Sequence, residues 1–302
     1  MSTDRISLHL SLPLLSLCVG LAGAPSAYGQ STGQLFASVT DQAGDAVIGL
    51  TADSFQVEED GVAMTLVTAD PGTTPMKVAL LVDNSEPIAS SNGLSSLRNG
   101  VAAFLDELPP QHEVGLFPIA GSVMRVVDFT TDRADLLHEA DGLGNGRGGA
   151  KMVEGVMETW DRRFEDGDVW PVMVLVLTDG PESSRNVNPD EFNEFVIRLI
   201  NRGAMIHAVL LETRGGGLQT QLAANLSKNT GGLLRTLNSP TGLPDALRQL
   251  ATRMGSHFDD MSTRYRLVFE RPGKTPGTRM SAGIVGPSCK LQLFTDRRMP
   301  SP

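Results

Sequence analysis

Cysteine is nearly absent from this chain: two occur in 302 residues, Cys18 and Cys289. Cys18 lies in a stretch read below as a removable leader. Without it one thiol remains, no internal disulfide can form, and a packed core must hold the fold. Cys289 reads as a buried, unreactive thiol. Aromatic residues make up only 5%, and no basic stripe carries them interleaved, which excludes a nucleic-acid surface. Basic charge is in deficit, with Lys+Arg 25 against Asp+Glu 35 and a net charge of −10. That balance bears on solubility, not on function. Histidine is scarce too. The five present (His9, His112, His138, His207, His257) show no metal-ligand spacing, and neither an H-E-x-x-H helix nor a G-x-S-x-G elbow occurs. No catalytic motif is legible, so the chain reads as a non-enzyme; only a hydrolase site assembled from distant residues escapes such a scan. His207, inside an apolar strand, reads as a core histidine.

The N-terminus has the layout of an export signal. Arg5 precedes an apolar stretch from Ile6 to Ala22, and small residues follow through Ala27-Tyr28-Gly29. Residues 1–29 are expected to be a signal peptide, placing the protein outside the cell or in the periplasm or envelope. The alternative is a retained anchor, the only arrangement that would make the membrane a partner.

Residues 30–70 carry short, partly alternating apolar runs separated by turn signals at Asp41-Gln-Ala-Gly44 and Asp60-Gly61, which predicts a small antiparallel β unit. Pro71 to Pro75 reads as a linker. From residue 76 to 262 buried strands alternate with amphipathic helices, the pattern of βαβ units and a doubly wound, mostly parallel sheet. Strands are expected at Val78–Val82, Val114–Ile119, Val123–Val127, Val172–Thr178, Ala204–Leu211 and Leu233–Leu237. Helices are expected over Leu94–Leu108, from Asp132 as cap to Leu143, and over Met152–Phe164, Pro189–Asn201, Leu218–Lys228 and Pro244–Met261. Gly215-Gly-Gly217 reads as a connector. Residues 263–302 return to alternation, at Tyr265–Phe269 and Lys290–Phe294, and are expected to pair with the N-terminal unit into one β module.

Two strands end alike. Val78-Ala-Leu-Leu-Val82 runs into Asp83-Asn-Ser85-Glu-Pro87, and Val172-Met-Val-Leu-Val-Leu177 runs into Thr178-Asp179-Gly180. Unbroken apolar runs suit strands buried on both faces, and ligand sites of open α/β sheets lie beyond their carboxyl ends. Two carboxylates brought to one sheet edge suit a hard divalent cation. The Gly144-Asn-Gly-Arg-Gly-Gly149 run matches a dinucleotide fingerprint in spelling only, because it does not directly follow a buried strand, and reads as a loop at the site's edge.

At these residues the chain resembles the von Willebrand factor A (vWA) domain. That family has an Asp-x-Ser-x-Ser loop after its first strand, a Thr in a later loop and an Asp-Gly after its fourth strand. Together they hold one metal ion, usually magnesium, which an acidic group of a partner protein completes. Asp83, Ser85 and Asp179 match. Pro87 replaces the second Ser and Ala150 the Thr, so the resemblance implies a degenerate metal site. The adjacent Lys151 is a candidate substitute for the cation's charge. The N-terminal unit resembles the segment that precedes the domain in secreted bacterial vWA-related proteins, matching at Asp41, Gly44, Val47, Gly49 to Thr51, Asp53 (one position out of step with the pattern), Phe55, Val57 and Glu59 to Gly61. The implied function is non-enzymatic protein binding or adhesion at the top of the sheet. The alternative is an accessory or scaffold subunit that binds through its β module.

Overall fold

The computed structural model describes residues 6–9, 31–121, 126–165, 170–185, 188–212, 217–271, 277–285, 288–294 and 297–299. Most of the expected signal peptide, Val123 to Arg125 of an expected strand, and Gly215 and Gly216 of the connector lie outside these residues.

The chain opens with five strands: β1 (Ile6–His9), β2 (Ser31–Thr40), β3 (Phe55–Glu59), β4 (Val62–Ala63) and β5 (Thr65–Pro71). The α/β part follows with β6 (Lys77–Val82), α1 (Glu86–Ser90), α2 (Leu94–Glu107), β7 (Glu113–Pro118), β8 (Val127–Thr130), α3 (Arg133–Asp141) and α4 (Met152–Arg163). It continues through β9 (Pro171–Thr178), α5 (Pro189–Asn201), β10 (Met205–Leu211), α6 (Leu218–Thr230), β11 (Leu234–Leu237) and α7 (Leu243–Ser262). The tail supplies β12 (Arg264–Arg271), β13 (Arg279–Ile284) and β14 (Lys290–Phe294). Two compact units result, 74–258 with 298–302, and 1–73 with 259–297.

In the larger unit six strands order as β11-β10-β9-β6-β7-β8, all parallel except β8, which runs antiparallel to β7. Every residue of β9 and β10 is buried, as continuous apolar runs require when both faces are covered. Alternation divides the strands between faces. Ala79 and Leu81 of β6 join Met173, Leu175 and Leu177 of β9 in a core shared with α4, α5 and α6. Val78, Leu80 and Val82 face the other way, also fully buried. There α2 and α7 approach closely at Gly100, where a Cβ would stand 2.8 Å from Leu247 Cδ1. Cap chemistry follows the sequence: the Asp132 carboxylate accepts from Ala134 N and Asp135 N at the start of α3, and Asn188 Oδ1 accepts from Asp190 N before α5. The strand opposite β7 starts at Val127, where the expectation ended it.

The smaller unit joins both chain ends in two antiparallel sheets, β14-β2-β12-β5 and β1-β13-β3-β4, which share one apolar core. Strand β12 pairs with β2 over its whole length, Arg264 opposite Ser38 to Arg271 opposite Ser31. The acidic N-terminal motif is explained by what the tail presents to it. Arg271 Nε donates to both Glu59 oxygens at 2.9 and 2.8 Å. Asp60 and Gly61, both at positive φ, make the turn into β4, and Asp60 Oδ1 accepts from Arg279 N at 2.9 Å. Tyr265 Oη donates to Val47 O at 2.8 Å and accepts from Leu50 N at 3.0 Å. Gly33 leaves room for this arrangement, because a Cβ there would lie 2.5 Å from the Phe269 ring and 2.7 Å from the Arg271 guanidinium carbon. Strand β13 escaped the sequence reading because Ser281, Ala282 and Gly283 carry too little apolar bulk to show alternation. Cys289 is half-buried against this core rather than enclosed by it. The backbone of Ile6–His9, within the expected signal peptide, pairs with Arg279–Ala282.

His207 in β10 is fully buried, and its Nδ1 accepts from Leu233 N at 3.1 Å, as a neutral ring requires. Burial, with like charge at His257 and Arg253 adding to it, pushes its pKa down to about 3. The unfolded value is about 6.5, so between these two the unfolded chain binds the extra proton. The neutral ring's contribution to stability is complete above roughly pH 6.5 and is lost as pH falls toward 3, by up to about 1.4 kcal/mol per pH unit. His207→Asn keeps an acceptor for Leu233 N and should flatten that slope. Urea melts of both proteins at pH 7, 5.5 and 4.5 measure it, and parallel declines would remove His207 as the cause.

Candidate functional site

The sheet's strand order places the site. From β6 the chain crosses to β7 on one side and later returns to β9 on the other, so a crevice opens beyond the ends of β6 and β9. Their register sets Val82 opposite Val176, which brings Asp83 and Asp179 to neighbouring strand ends. Asp83 N donates to Val176 O at 2.8 Å and Asp179 N to Leu211 O at 3.0 Å, so both aspartates extend the sheet's backbone pairing by one residue.

Asp83 is completely buried, and protein donors engage both its carboxylate oxygens. Oδ1 accepts from Ser85 N at 2.8 Å. Oδ2 accepts from Thr178 Oγ1 at 2.6 Å and from Thr178 N at 3.2 Å. The carboxylate therefore folds its own loop and also ties β6 to β9. Hydrogen bonds to an ionised group are the stronger class, and each holds more firmly out of water. Thr178 is the polar partner that sequence reasoning passed over. Its signal was a lone hydroxyl closing a run of apolar residues.

Ser85 stands at the N-cap position of α1 without making a side-chain capping bond, and its Oγ is buried with no partner among the described residues. Pro87 occupies the first turn of α1, where its fixed φ suits the helix. Its ring lies against Gly180, where a Cβ would stand 3.0 Å from Pro87 Cγ. Ala150 is buried in the apolar core, and its carbonyl accepts from Ser183 N at 2.9 Å and Gln219 Nε2 at 3.3 Å. Lys151 Nζ pairs with Glu154 Oε2 at 2.8 Å, which engages the charge that the sequence assigned to the two aspartates. That bond, joined by Arg185 N on the other carboxylate oxygen, holds the Glu154 carboxyl below its ordinary range.

These surroundings do not fit a resident magnesium ion. Magnesium demands a near-ideal octahedron of six oxygens. Here Asp83 already serves three protein donors, and the two further positions that the resemblance assigns to ligands hold the Pro87 ring and the buried methyl of Ala150, neither of which offers a side-chain oxygen. Among the described residues, no three His, Cys, Asp or Glu side chains are grouped to hold a metal.

Beside this edge the glycine-rich loop meets the end of β6 at Asn84. Asn84 Nδ2 donates to Gly144 O at 2.8 Å, and Gly146 N donates to Asn84 O at 2.8 Å. Arg98 on α2 holds the loop's start, donating through Nε to Leu143 O at 2.8 Å. The loop's far end packs on the strand-end segment after β9: a Cβ on Gly149 would lie 2.0 Å from Ser183 Oγ, so the serine hydroxyl would have to turn away. Asn84 falls on an unspecified position of the Asp-x-Ser-x-Ser pattern, and its partners in the glycine-rich loop, some 60 residues away, give it a role.

Thr178→Val keeps the shape of β9 and removes the hydroxyl from Asp83. The buried carboxylate then loses one of its three donors, and the domain should be destabilised by about 1.5–3 kcal/mol. Denaturant unfolding measures this, and a change under about 0.5 kcal/mol would mean the bond carries no load.

Residues 78–182 match a family model described as von Willebrand factor type A domain. A solved structure described as von Willebrand factor type A from Catenulispora acidiphila superposes with a TM-score of 0.52 at 12% identity, over 90% of this chain and 72% of that one. Proximal thread matrix protein 1 from the mussel byssus, solved with a zinc-occupied MIDAS motif, superposes with a TM-score of 0.50 at 15% identity. That likeness covers 71% of this chain and 50% of the mussel protein. Among curated proteins none matches the chain by sequence. At such identities the superpositions speak for the fold alone, and the sheet order, the crevice and the matched segment agree with it. Over residues 78–182 the chain matches the von Willebrand factor type A family, and its fold is of that type: a six-stranded, mostly parallel sheet flanked by helices, with small antiparallel sheets from its terminal segments.

Proposed function

We propose that this protein is an exported, non-enzymatic binding module that captures a protein partner at the carboxyl edge of its α/β sheet without a metal ion. The observation that carries this reading is the state of Asp83. Its carboxylate is committed to Ser85 and Thr178, so the edge is held in shape by hydrogen bonds where a bound cation would otherwise organise it. The polar groups of the site hold loops, and no nucleophile stands beside a base among them. A rigid edge framed by the Asp83 loop and the glycine-rich loop suits recognition. The mussel matrix protein and other vWA proteins make such a role a reasonable class for this chain.

The metal-free part is tested by thermal melting. Wild-type protein should melt at the same temperature in magnesium, manganese or chelator. Saturation at 100 times the dissociation constant would stabilise by about 2.7 kcal/mol, a shift of roughly 5–10 °C for a domain of this size. Such a shift in the wild type would overturn the proposal. Protein captured on the immobilised chain should be retained equally in chelator, and should be lost when the loop 142–149 is replaced but not when the β module is altered. Retention that follows the β module would favour the scaffold reading instead.

Export rests on the residues from Arg5 to Gly29. Among the described residues no helix is long and apolar enough to cross a membrane. Protein recovered from the producing cell's envelope or medium should begin near Tyr28 to Gln30 by mass spectrometry, with β1 removed and β13 left as a sheet edge. A product that starts at Met1 and stays in the cytoplasm would refute it.

A further inference from the structure

The glycine-rich loop and the ends of β6 and β7 enclose a cleft of about 620 Å³, within the range that receives a small ligand or one large side chain with its backbone. Pro118, Ala120 and Val126 give it apolar wall. Glu139, half-buried, and Arg147, exposed, supply its charged side chains. Asn84 supplies the buried polar group and is only 8% exposed. Its amide orientation is fixed, because Nδ2 must be the atom that donates to Gly144 O. Oδ1 is therefore a pure acceptor, and it is buried without a partner among the described residues. A buried acceptor of this kind calls for a partner, and a donor carried by a ligand would satisfy it. The loop is built close around it: a Cβ on Gly146 would lie 2.3 Å from Ala120 Cβ and 3.1 Å from Asn84 Oδ1.

We propose that this cleft receives a cationic side chain of the partner, an arginine, with its guanidinium donating to Asn84 Oδ1. The proposal rests on the binding-module reading above and reverses the sign of the group that the family resemblance implies, which is acidic. Three features select arginine. The unmatched atom accepts only, so the ligand must donate. Glu139 in the wall is acidic, and Arg147, the cation of the lining, is exposed and solvent-screened. The apolar wall suits a methylene stem, and a planar guanidinium presents several donors to a site with more than one acceptor.

The test uses purified protein and three probes: the N-acetyl methylamides of arginine, norleucine and glutamate. Titrations are followed by the amide NMR signals of Gly144 and Gly146. The arginine probe should shift both signals and bind about fivefold or more tightly than norleucine, as one hydrogen bond to a charged donor allows, with glutamate weakest. Glu139→Gln should weaken the arginine probe about threefold and leave norleucine unchanged. Asn84→Ala should abolish the preference. Because Asn84 also holds the loop, Glu139→Gln on an unchanged fold is the decisive variant. Equal binding of arginine and norleucine, a preference for glutamate, or indifference of the arginine probe to Glu139→Gln would overturn the proposal. The probes need no protein partner. Arginine selectivity without any captured protein would support the cleft and count against the protein-binding reading, while capture without arginine selectivity would do the reverse.

Discussion

The carboxylate of Asp83 is the constraint on which this site depends. A fully buried negative charge is costly unless donors surround it. Here the donors come from its own loop, through Ser85 N, and from the neighbouring strand, through Thr178. That requirement fixes the separation of β6 and β9 at their carboxyl ends, sets the loop into α1, and so decides where Ser85, Pro87 and Asn84 lie. Pro87 then has a structural role of its own, as the first-turn residue of α1 whose ring packs on Gly180.

The β module obeys a comparable rule at the other end of the sequence order. Its N-terminal strands cannot bury their apolar faces alone, and the tail supplies the central strand β12 and the bridging strand β13. The acidic turn Glu59-Asp60-Gly61 and the segment Val47 to Leu50 look in sequence like a local motif. In the structure both are receptors for the tail, through Arg271, Arg279 and Tyr265. A buried ion pair such as Glu59 with Arg271 adds little net stability, but losing either partner would strand the other, so it serves register more than strength.

Local chemistry was legible wherever the signal is short-ranged. The Asp132 cap, Pro189 at the first turn of α5 and the apolar runs of β6, β9 and β10 could be read directly, because each depends on residues within one turn or one strand. Strand β13 was not legible, since small residues carry no periodic signal and pairing with β3 and β1 is what makes them a strand. Nor was the role of Thr178 or Asn84, because each acts on a partner 60 or more residues away.

The sequence by itself determined the alternating α/β order and the two aspartates at strand ends, since these follow from residue type and local spacing. Tertiary structure alone decided what those residues do. Strand order placed β9 beside β6, which let Thr178 take the Asp83 carboxylate. Chain reversal brought the glycine-rich loop onto Asn84 and left one acceptor unmatched. The physical reason is the same in both cases: a hydrogen bond between distant residues depends on which strands become neighbours, and that is settled by burial of the whole core, not by any stretch of sequence read alone.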